Sequence, residues 1–269
     1  MVSAIVIGMI RIYHVDAFAE KPFEGNPAAV CLLNEERPAA WMQSLAAEMN
    51  LAETAFVRRT GTTFELRWFT PAIEVELCGH ATLASAHVLW TEQVVPKGEP
   101  VRFETKSGIL TCEQTADSIQ LDFPSTPAAP VEPPSGLIEA LGIRPSFVGQ
   151  TKFDKFLLLD SEGAIRGLKP DFAALARIPG RGVIVTSRSS DSRFDFISRY
   201  FAPRAGVNED SVTGSAHCAL AAFWSERLGK SAMTGFQASP RGGIVHVRLA
   251  GDRVYLGGKA ITILRGELI

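Results

Sequence analysis

Two glycine-led segments carry the residue types that could do chemistry. Cys78-Gly79-His80-Ala81 is the first and Thr213-Gly214-Ser215-Ala216 the second, and each runs into an apolar stretch containing a tryptophan, Trp90 or Trp224. Gly79 and Gly214 are 214 − 79 = 135 positions apart, close to half of the 269 residues. A glycine lets the backbone approach a ligand closely. The first turn of the helix behind it leaves N–H groups unpaired and carries positive partial charge. Two such starts facing one cleft would hold an anion, and a carboxylate fits best. Two plain strand-to-helix turns are the bland alternative, and the matched positions weigh against it.

Side chains around these starts extend the chemistry. His80 holds the position in the first segment that Ser215 holds in the second, 80 + 135 = 215. A histidine at a helix start is expected to be less basic than usual and to stay neutral, which suits a hydrogen-bond donor or proton shuttle. Asp210 and Ser215 flank the second start within Asn208-Glu209-Asp210-Ser211-Val212-Thr213-Gly214-Ser215. An N-cap would account for Asp210 alone; three polar side chains with exposed amides exceed what a cap needs. Glu53 lies among apolar residues in Leu51-Ala52-Glu53-Thr54-Ala55-Phe56-Val57. Burial at the start of a strand would tune it toward general-base work. An exposed helix-end carboxylate is the alternative.

The elements that must position these residues repeat as well. Arg67-Trp68-Phe69-Thr70-Pro71 precedes the first segment and Arg199-Tyr200-Phe201-Ala202-Pro203 the second. Gly108-Ile109-Leu110 falls on Gly243-Ile244-Val245, and Ile119-Gln120-Leu121 on Val254-Tyr255-Leu256, again 135 apart. A chain that repeats once reads as two similar domains with a cleft between them. Short β-branched and aromatic runs predict strands over 10–18, 28–33, 54–58, 63–69, 101–105, 109–113 and 118–123 in the first half. The second half gives 155–160, 183–186, 194–201, 244–249, 253–256 and 261–264. Gly251-Asp252 and Asp117 mark tight turns. The spacing suggests mixed or antiparallel sheets rather than regular βαβ alternation.

Helices are predicted from Pro38 to Asn50, over 136–141 and 171–177, and behind the two glycines over 81–91 and 216–228. The last two are Ala-rich and apolar almost all round, so each should be buried with a curved sheet around it. Five prolines between Pro124 and Pro134 read as a semi-rigid linker. The expected division is therefore a first domain over 1–124, a linker over 125–135 and a second domain over 136–269, with the last strand free to pair back onto the first. Residues 1–8 read as a dispensable extension ahead of the strand that starts at Ile10.

Bulk properties narrow the partners. Lys and Arg total 27 against 29 for Asp and Glu, a net charge of −2, and no long basic run occurs. Nucleic acid and anionic membrane are poor candidates for the main partner; a small acidic molecule at a locally positive site is not. No segment reads as a signal peptide or membrane span. Cys31, Cys78, Cys112 and Cys218 show no CxxC spacing, so a reducing cytoplasm is the simplest setting. The five histidines show no zinc pattern.

These segments together resemble the phenazine-biosynthesis-protein-F-like family, within the diaminopimelate epimerase superfold. The matching pieces are Val15-Asp16-Ala17-Phe18, Phe23-Glu24-Gly25-Asn26-Pro27-Ala28-Ala29-Val30, Glu53-Thr54-Ala55-Phe56, Arg67-Trp68-Phe69-Thr70-Pro71, Glu76-Leu77-Cys78-Gly79-His80-Ala81-Thr82 and Glu209-Asp210-Ser211-Val212-Thr213-Gly214-Ser215-Ala216-His217. The resemblance covers the chain from Ile10 onward. It implies an α+β fold of two pseudo-symmetric domains, each a β-barrel-like sheet around a central helix. It also implies a site between them with no cofactor and no metal, and a homodimer. The catalytic glutamate maps onto Glu53, which moves a proton between carbons of a small carboxylate substrate. His80 and Asp210 join it as catalytic residues; Asn26, Gly79, Gly214 and Ser215 are the expected substrate-binding positions. Ser211 stands where the family often has proline.

The superfold's epimerases carry two cysteines, each just before the glycine of one repeat. Here those positions are Cys78 and Thr213, and a hydroxyl is a poor base where a thiolate is a good one. A two-thiol racemase is therefore disfavoured. The leading reading is a cofactor-independent isomerase with Glu53 as general acid/base. A one-thiol, racemase-like dehydratase using Cys78 is the runner-up, and a non-catalytic binding or interaction protein of the same fold is the third.

Overall fold

Helices α2 (Gly79–Thr91) and α6 (Gly214–Leu228) are the two axes around which everything else wraps. Their buried faces include Ala81, Leu83, Ala84, Ala86 and Trp90 in one and Ala216, Ala219, Leu220, Ala221 and Trp224 in the other. A helix with apolar residues on nearly every side is stable only inside a core. The structure is a computed structural model and describes residues 9–115 and 118–269. The expected extension over residues 1–8 and the expected turn at Asp117 lie outside the described residues.

In the first half, β1 (Ile10–Ala17), β2 (Asn26–Leu33), α1 (Ala39–Met49), β3 (Glu53–Thr60), β4 (Thr63–Phe69) and β5 (Glu74–Val75) precede α2. Strands β6 (Val101–Thr105), β7 (Gly108–Gln114) and β8 (Ile119–Pro124) follow it. A two-residue strand, β9 (Ala129–Pro130), leads to α3 (Leu137–Leu141), β10 (Phe147–Gln150), β11 (Lys155–Leu158), α4 (Glu162–Gly167) and α5 (Phe172–Leu175). Then come β12 (Val183–Arg188), β13 (Phe196–Ala202), β14 (Val207–Asp210), α6, β15 (Ala232–Gln237), β16 (Gly243–Ala250), β17 (Arg253–Gly258) and β18 (Ala260–Leu268).

The pairing of one half reproduces the other. Strand β2 runs parallel to β3, and β4 takes β5 antiparallel and β6 parallel. Likewise β11 runs parallel to β12, and β13 takes β14 antiparallel and β15 parallel. The remaining neighbours are antiparallel, so the sheet is mixed, with each central helix acting as the crossover of a parallel pair. This is the α+β fold of two pseudo-symmetric halves, each a curved sheet around one helix.

Three seams join the halves. Strand β8 pairs antiparallel with β17, and Leu121 stands opposite Leu256, 256 − 121 = 135 positions away. Each half also lends the other a strand: β9 follows β8 but pairs with β10, and β18 follows β17 but pairs along all of β1. The proline-rich stretch is thus a crossing strand at Ala129–Pro130, held further by Ser125 N donating to Asp252 O at 2.7 Å.

One core spans both halves, from Val15, Trp68, Leu83 and Trp90 to Phe156, Phe196, Leu220 and Trp224. Helix α1 packs Met42 and Ala46 outside the first sheet against Phe56 and Phe69. Helices α3 to α5 pack Leu137, Ile165 and Leu175 outside the second against Leu157, Val185 and Phe201. Each large side chain so buried contributes roughly 1.5–3 kcal/mol.

A repeated ion pair fixes the strands that deliver the chain to the central helices. Arg67 donates to Glu74 through Nε and Nη2 at 2.8 and 3.0 Å, bridging β4 and β5. Arg199 does the same to Glu209 at 2.7 and 2.8 Å, bridging β13 and β14.

Candidate active site

The two helix starts meet. A Cβ built on Gly79 would lie 3.4 Å from the Cα of Gly214, and the reverse contact is also 3.4 Å. The N-cap residues Cys78 and Thr213 are extended, and neither side chain makes a capping hydrogen bond. First-turn amides of both helices are therefore free of the usual N-cap side-chain partner, at one place in the molecule.

Glu53 opens β3 beside this junction, with its side chain about one-fifth exposed. Its Oε2 lies 3.1 Å from His80 Nε2. The distance is that of an ion pair, but the angles are not those of a hydrogen bond, and both atoms are buried without a hydrogen-bond partner. Two such atoms need a further partner to be satisfied. The other ring nitrogen, Nδ1, lies 3.2 Å from Asn26 Nδ2 and 3.6 Å from Cys78 Sγ. Asn26, fully buried at the start of β2, donates through Nδ2 to Asp210 Oδ1 at 2.7 Å and to Val212 O at 2.9 Å. Asp210 Oδ2 accepts from Thr213 Oγ1 at 2.6 Å. Glu53, His80, Asn26 and Asp210 thus form one connected set drawn from both halves. Asp210 is not the cap of α6: it ends β14, and Thr213 holds the N-cap position.

Ser215 sits one residue into α6, as His80 sits one residue into α2. It stands apart from the Glu53 set; its Oγ accepts from Arg181 Nη2 at 3.0 Å. Cys78 joins the first set. Glu53, Cys78 and His80 place one ligand atom each within 4.8 Å of one another, close enough to share a cation. The linear sequence carried no metal spacing because Glu53 comes from another strand.

Comparison with known proteins gives this arrangement a family. The model of the phenazine biosynthesis-like proteins matches residues 15–266. The chain belongs to that family. A relative from Halalkalibacterium halodurans, named an uncharacterized isomerase, is 51% identical over 96% of this chain and 98% of its own length. The crystal structure of a family member from Enterococcus faecalis superposes with a TM-score of 0.93 at 40% identity, covering 97% of this chain and 99% of that one. A predicted epimerase from Pseudomonas aeruginosa superposes at 0.74 over 96% of this chain and 99% of its own, and at 23% identity the likeness is one of fold.

In this family member the electrostatics differ from the sequence expectation at His80. Burial alone would keep the ring neutral, but the Cys78 sulfur, 3.6 Å from Nδ1 and able to accept from it, and the Glu53 carboxylate at Nε2 favour the protonated ring and raise it well above the usual histidine value. The expectation of a neutral ring considered the helix start and neither the Cys78 sulfur two residues before it nor the Glu53 carboxylate that the fold brings up. Burial pushes Asp210 up, with Glu53 adding to the effect and His80 opposing it. Burial likewise pushes the Cys78 thiol up.

Sequence reasoning missed three supports. Gln237 is fully buried, donates to Asp210 O at 2.8 Å and accepts from Thr213 N at 2.9 Å, which fixes the approach to α6. Arg241 Nη2 donates to buried Asp16 at 2.7 Å, and its Nε donates to Gly25 O at 2.9 Å, so the second half clamps the corner before Asn26. Gly25 has φ +67°, and a Cβ there would lie 2.2 Å from Ala17 O, so only glycine fits. The third support is the Arg181 group that reaches Ser215; Gly180 and Gly182 on either side were its one local signal.

Proposed function

We propose that this protein is a cofactor-independent isomerase that moves a proton between carbons of a small carboxylate substrate. The observation that carries the reading is the pair Glu53 Oε2 and His80 Nε2, buried, 3.1 Å apart and without hydrogen-bond partners, beside two abutting helix starts. Relatives named isomerases support the reaction class.

The chemistry follows from the donor set. Glu53 takes a proton from a carbon next to a carbonyl or unsaturated system, breaking the C–H bond and leaving its electron pair in that system. His80, raised toward the cationic form, and the unpaired amides stabilise the developing negative charge. Glu53 then returns that proton to a different carbon, which restores its carboxylate for the next turnover. Asp210, which burial inclines toward its neutral acid form, faces the same set and orients the substrate. No electrons are gained or lost overall. Asn26 fixes Asp210 by donating to its Oδ1, and its amide packs against the His80 ring at Nδ1.

Cys78 gives the dehydratase reading one specific support, the 3.6 Å approach of its sulfur to His80 Nδ1. Burial works against it by keeping the thiol protonated, and a thiol is a far weaker base than a thiolate. The buried, unpaired cysteines fit the reducing cytoplasm expected above.

The test is a screen of small cyclic and amino-substituted carboxylates in heavy water for loss of a carbon-bound proton. Exchange that disappears in Glu53→Gln supports the isomerase; exchange that persists in that variant ends the reading.

A further inference from the structure

The two halves differ at the site in a way that has chemical sense. Thr54 pairs with Phe69 in the first half and Val183 with Phe201 in the second, so Glu53 and Gly182 hold the same ladder position. Gly182 has no side chain to offer, and a Cβ there would lie 2.3 Å from Tyr200 Oη. The Tyr200 ring takes that space, and its hydroxyl donates to Asp154 Oδ1 at 2.8 Å. Asp154 is 1% exposed and holds Arg181, the neighbour of Gly182, from Nε to Oδ1 at 2.9 Å and from Nη2 to Oδ2. The same Nη2 reaches Ser215 at the start of α6. One half sets a carboxylate against its helix start; the other sets a guanidinium.

We propose that Arg181 is the specificity-determining cation of this site. The substrate carboxylate docks on Arg181, Ser215 and the first-turn amides of α6, with the reacting carbon turned toward Glu53 and His80. The proposal rests on the acid–base site described above and names the orientation of its substrate.

Several features suit Arg181 to this task. Asp154 and Tyr200 hold one edge of the guanidinium, and the Phe153 ring lies 4.8 Å from its central carbon, so the group is ordered before a ligand arrives. Nε and Nη2 make the guanidinium's hydrogen bonds among the described residues, which leaves Nη1 available to a ligand. Asp154 cancels much of the charge at a distance, so Arg181 acts as a fork of directed donors rather than a general attraction. Such a fork matches the two oxygens of a carboxylate, and a lysine does not reproduce it. The opposite end of the site is marked independently by His80, which is 4% exposed and has an unpartnered Nε2.

The experiment titrates the full-length protein with benzoate and with uncharged benzamide, followed by NMR. Benzoate should bind the native protein, and Arg181→Met should weaken it by about tenfold or more, the loss of a charge-assisted hydrogen bond. Benzamide binding should not change. Arg181→Lys should also lose benzoate affinity, and it keeps a cation beside Asp154 if the methionine variant folds poorly. The double variant Arg181→Met/Asp154→Asn, which strands no buried carboxylate, should match Arg181→Met. Absence of benzoate binding to the native protein, native affinity in Arg181→Met, or an equal loss of benzamide would each overturn the proposal. The two readings fail separately. Proton exchange that survives Glu53→Gln removes the isomerase and leaves the Arg181 result standing; benzoate binding that ignores Arg181 does the reverse.

Discussion

Gly79 and Gly214 stand so close that a Cβ on either would lie 3.4 Å from the α-carbon of the other. They are the same position of the two halves, as are Leu121 and Leu256, which face each other across β8 and β17. The pseudo-twofold axis therefore runs between both pairs. Two helix starts related by such an axis place their amides around one point, which neither start alone would do.

That contact predicts a coupling. Gly79→Ala and Gly214→Ala each meet an ordinary van der Waals distance and should cost less than about 1 kcal/mol. The double variant brings two methyl groups together where each one alone met an α-carbon. Its cost in urea unfolding should exceed the sum of the single variants by about 1–3 kcal/mol. Simple additivity would show that the helix starts do not touch.

A second prediction separates the two candidate bases. Glu53→Gln should lower proton exchange by about a hundredfold to ten-thousandfold, since the amide keeps the shape but cannot accept a proton. Cys78→Ser should cost less than about tenfold, because burial holds the native thiol protonated. Treatment with a chelator should leave exchange unchanged if Glu53, Cys78 and His80 work as an acid–base set. Loss of activity on chelation, restored by a divalent metal, would turn the same three residues into a metal site.

Much of this was readable in the chain, and the residues say why. The alternating runs of β4, β6 and β7 and the Ala-rich helices α2 and α6 follow from local pattern. Strands β10 and β15 escaped because Gly149 and Gly235 interrupt their apolar signal; a Cβ at Gly235 would lie 2.4 Å from the Phe196 ring. Helix α4 escaped because its six residues include Gly163 and Gly167. Glu53, His80 and Asp210 could be singled out because the repeat and the matched motifs marked them. Asp154, Arg181 and Tyr200 could not, since they meet from separate strands and loops, and only the fold brings them to Ser215. The same reason accounts in part for His80: Glu53 comes to its ring from another strand, while Cys78 was two residues away and its effect was not weighed.

The paired Arg–Glu bridges predict unequal losses. Arg67 has Glu74 as its hydrogen-bond partner and is partly exposed. Arg199 bonds Glu209 and also donates through Nη1 to Ile165 O at 3.1 Å and Leu168 O at 2.9 Å, tying α4 to β13. Arg67→Met should cost about 1 kcal/mol. Arg199→Met should cost about 3–5 kcal/mol, because it leaves a nearly buried carboxylate and two carbonyls without their donor. Equal costs in denaturant unfolding would count against this division.

The final prediction concerns acid. His217 is the counterpart of Thr82, 82 + 135 = 217, and both bond the N-cap carbonyl of their helix: Thr82 Oγ1 to Cys78 O at 2.5 Å and His217 Nδ1 to Thr213 O at 2.8 Å. His217 is fully buried, and its Nε2 has no partner. Burial lowers it from the usual 6.5 to about 4, with the bond to Thr213 opposing only in part. The sign follows from proton counting. Between 6.5 and about 4 the unfolded chain takes up a proton that the native ring refuses. Native stability therefore falls as pH drops through that window and this contribution levels off below it. A depression of this size corresponds to about 3 kcal/mol. His217→Thr keeps the bond to the carbonyl and removes the titrating ring. It should be less stable than the native protein near neutrality, where it leaves a small cavity, yet lose less stability on acidification. Urea unfolding of both proteins at about pH 6.5 and about pH 4 measures the difference. The gap between them should narrow by about 3 kcal/mol on going to acid. A gap that stays constant would mean that the buried ring takes up its proton in the native state as readily as in the unfolded one.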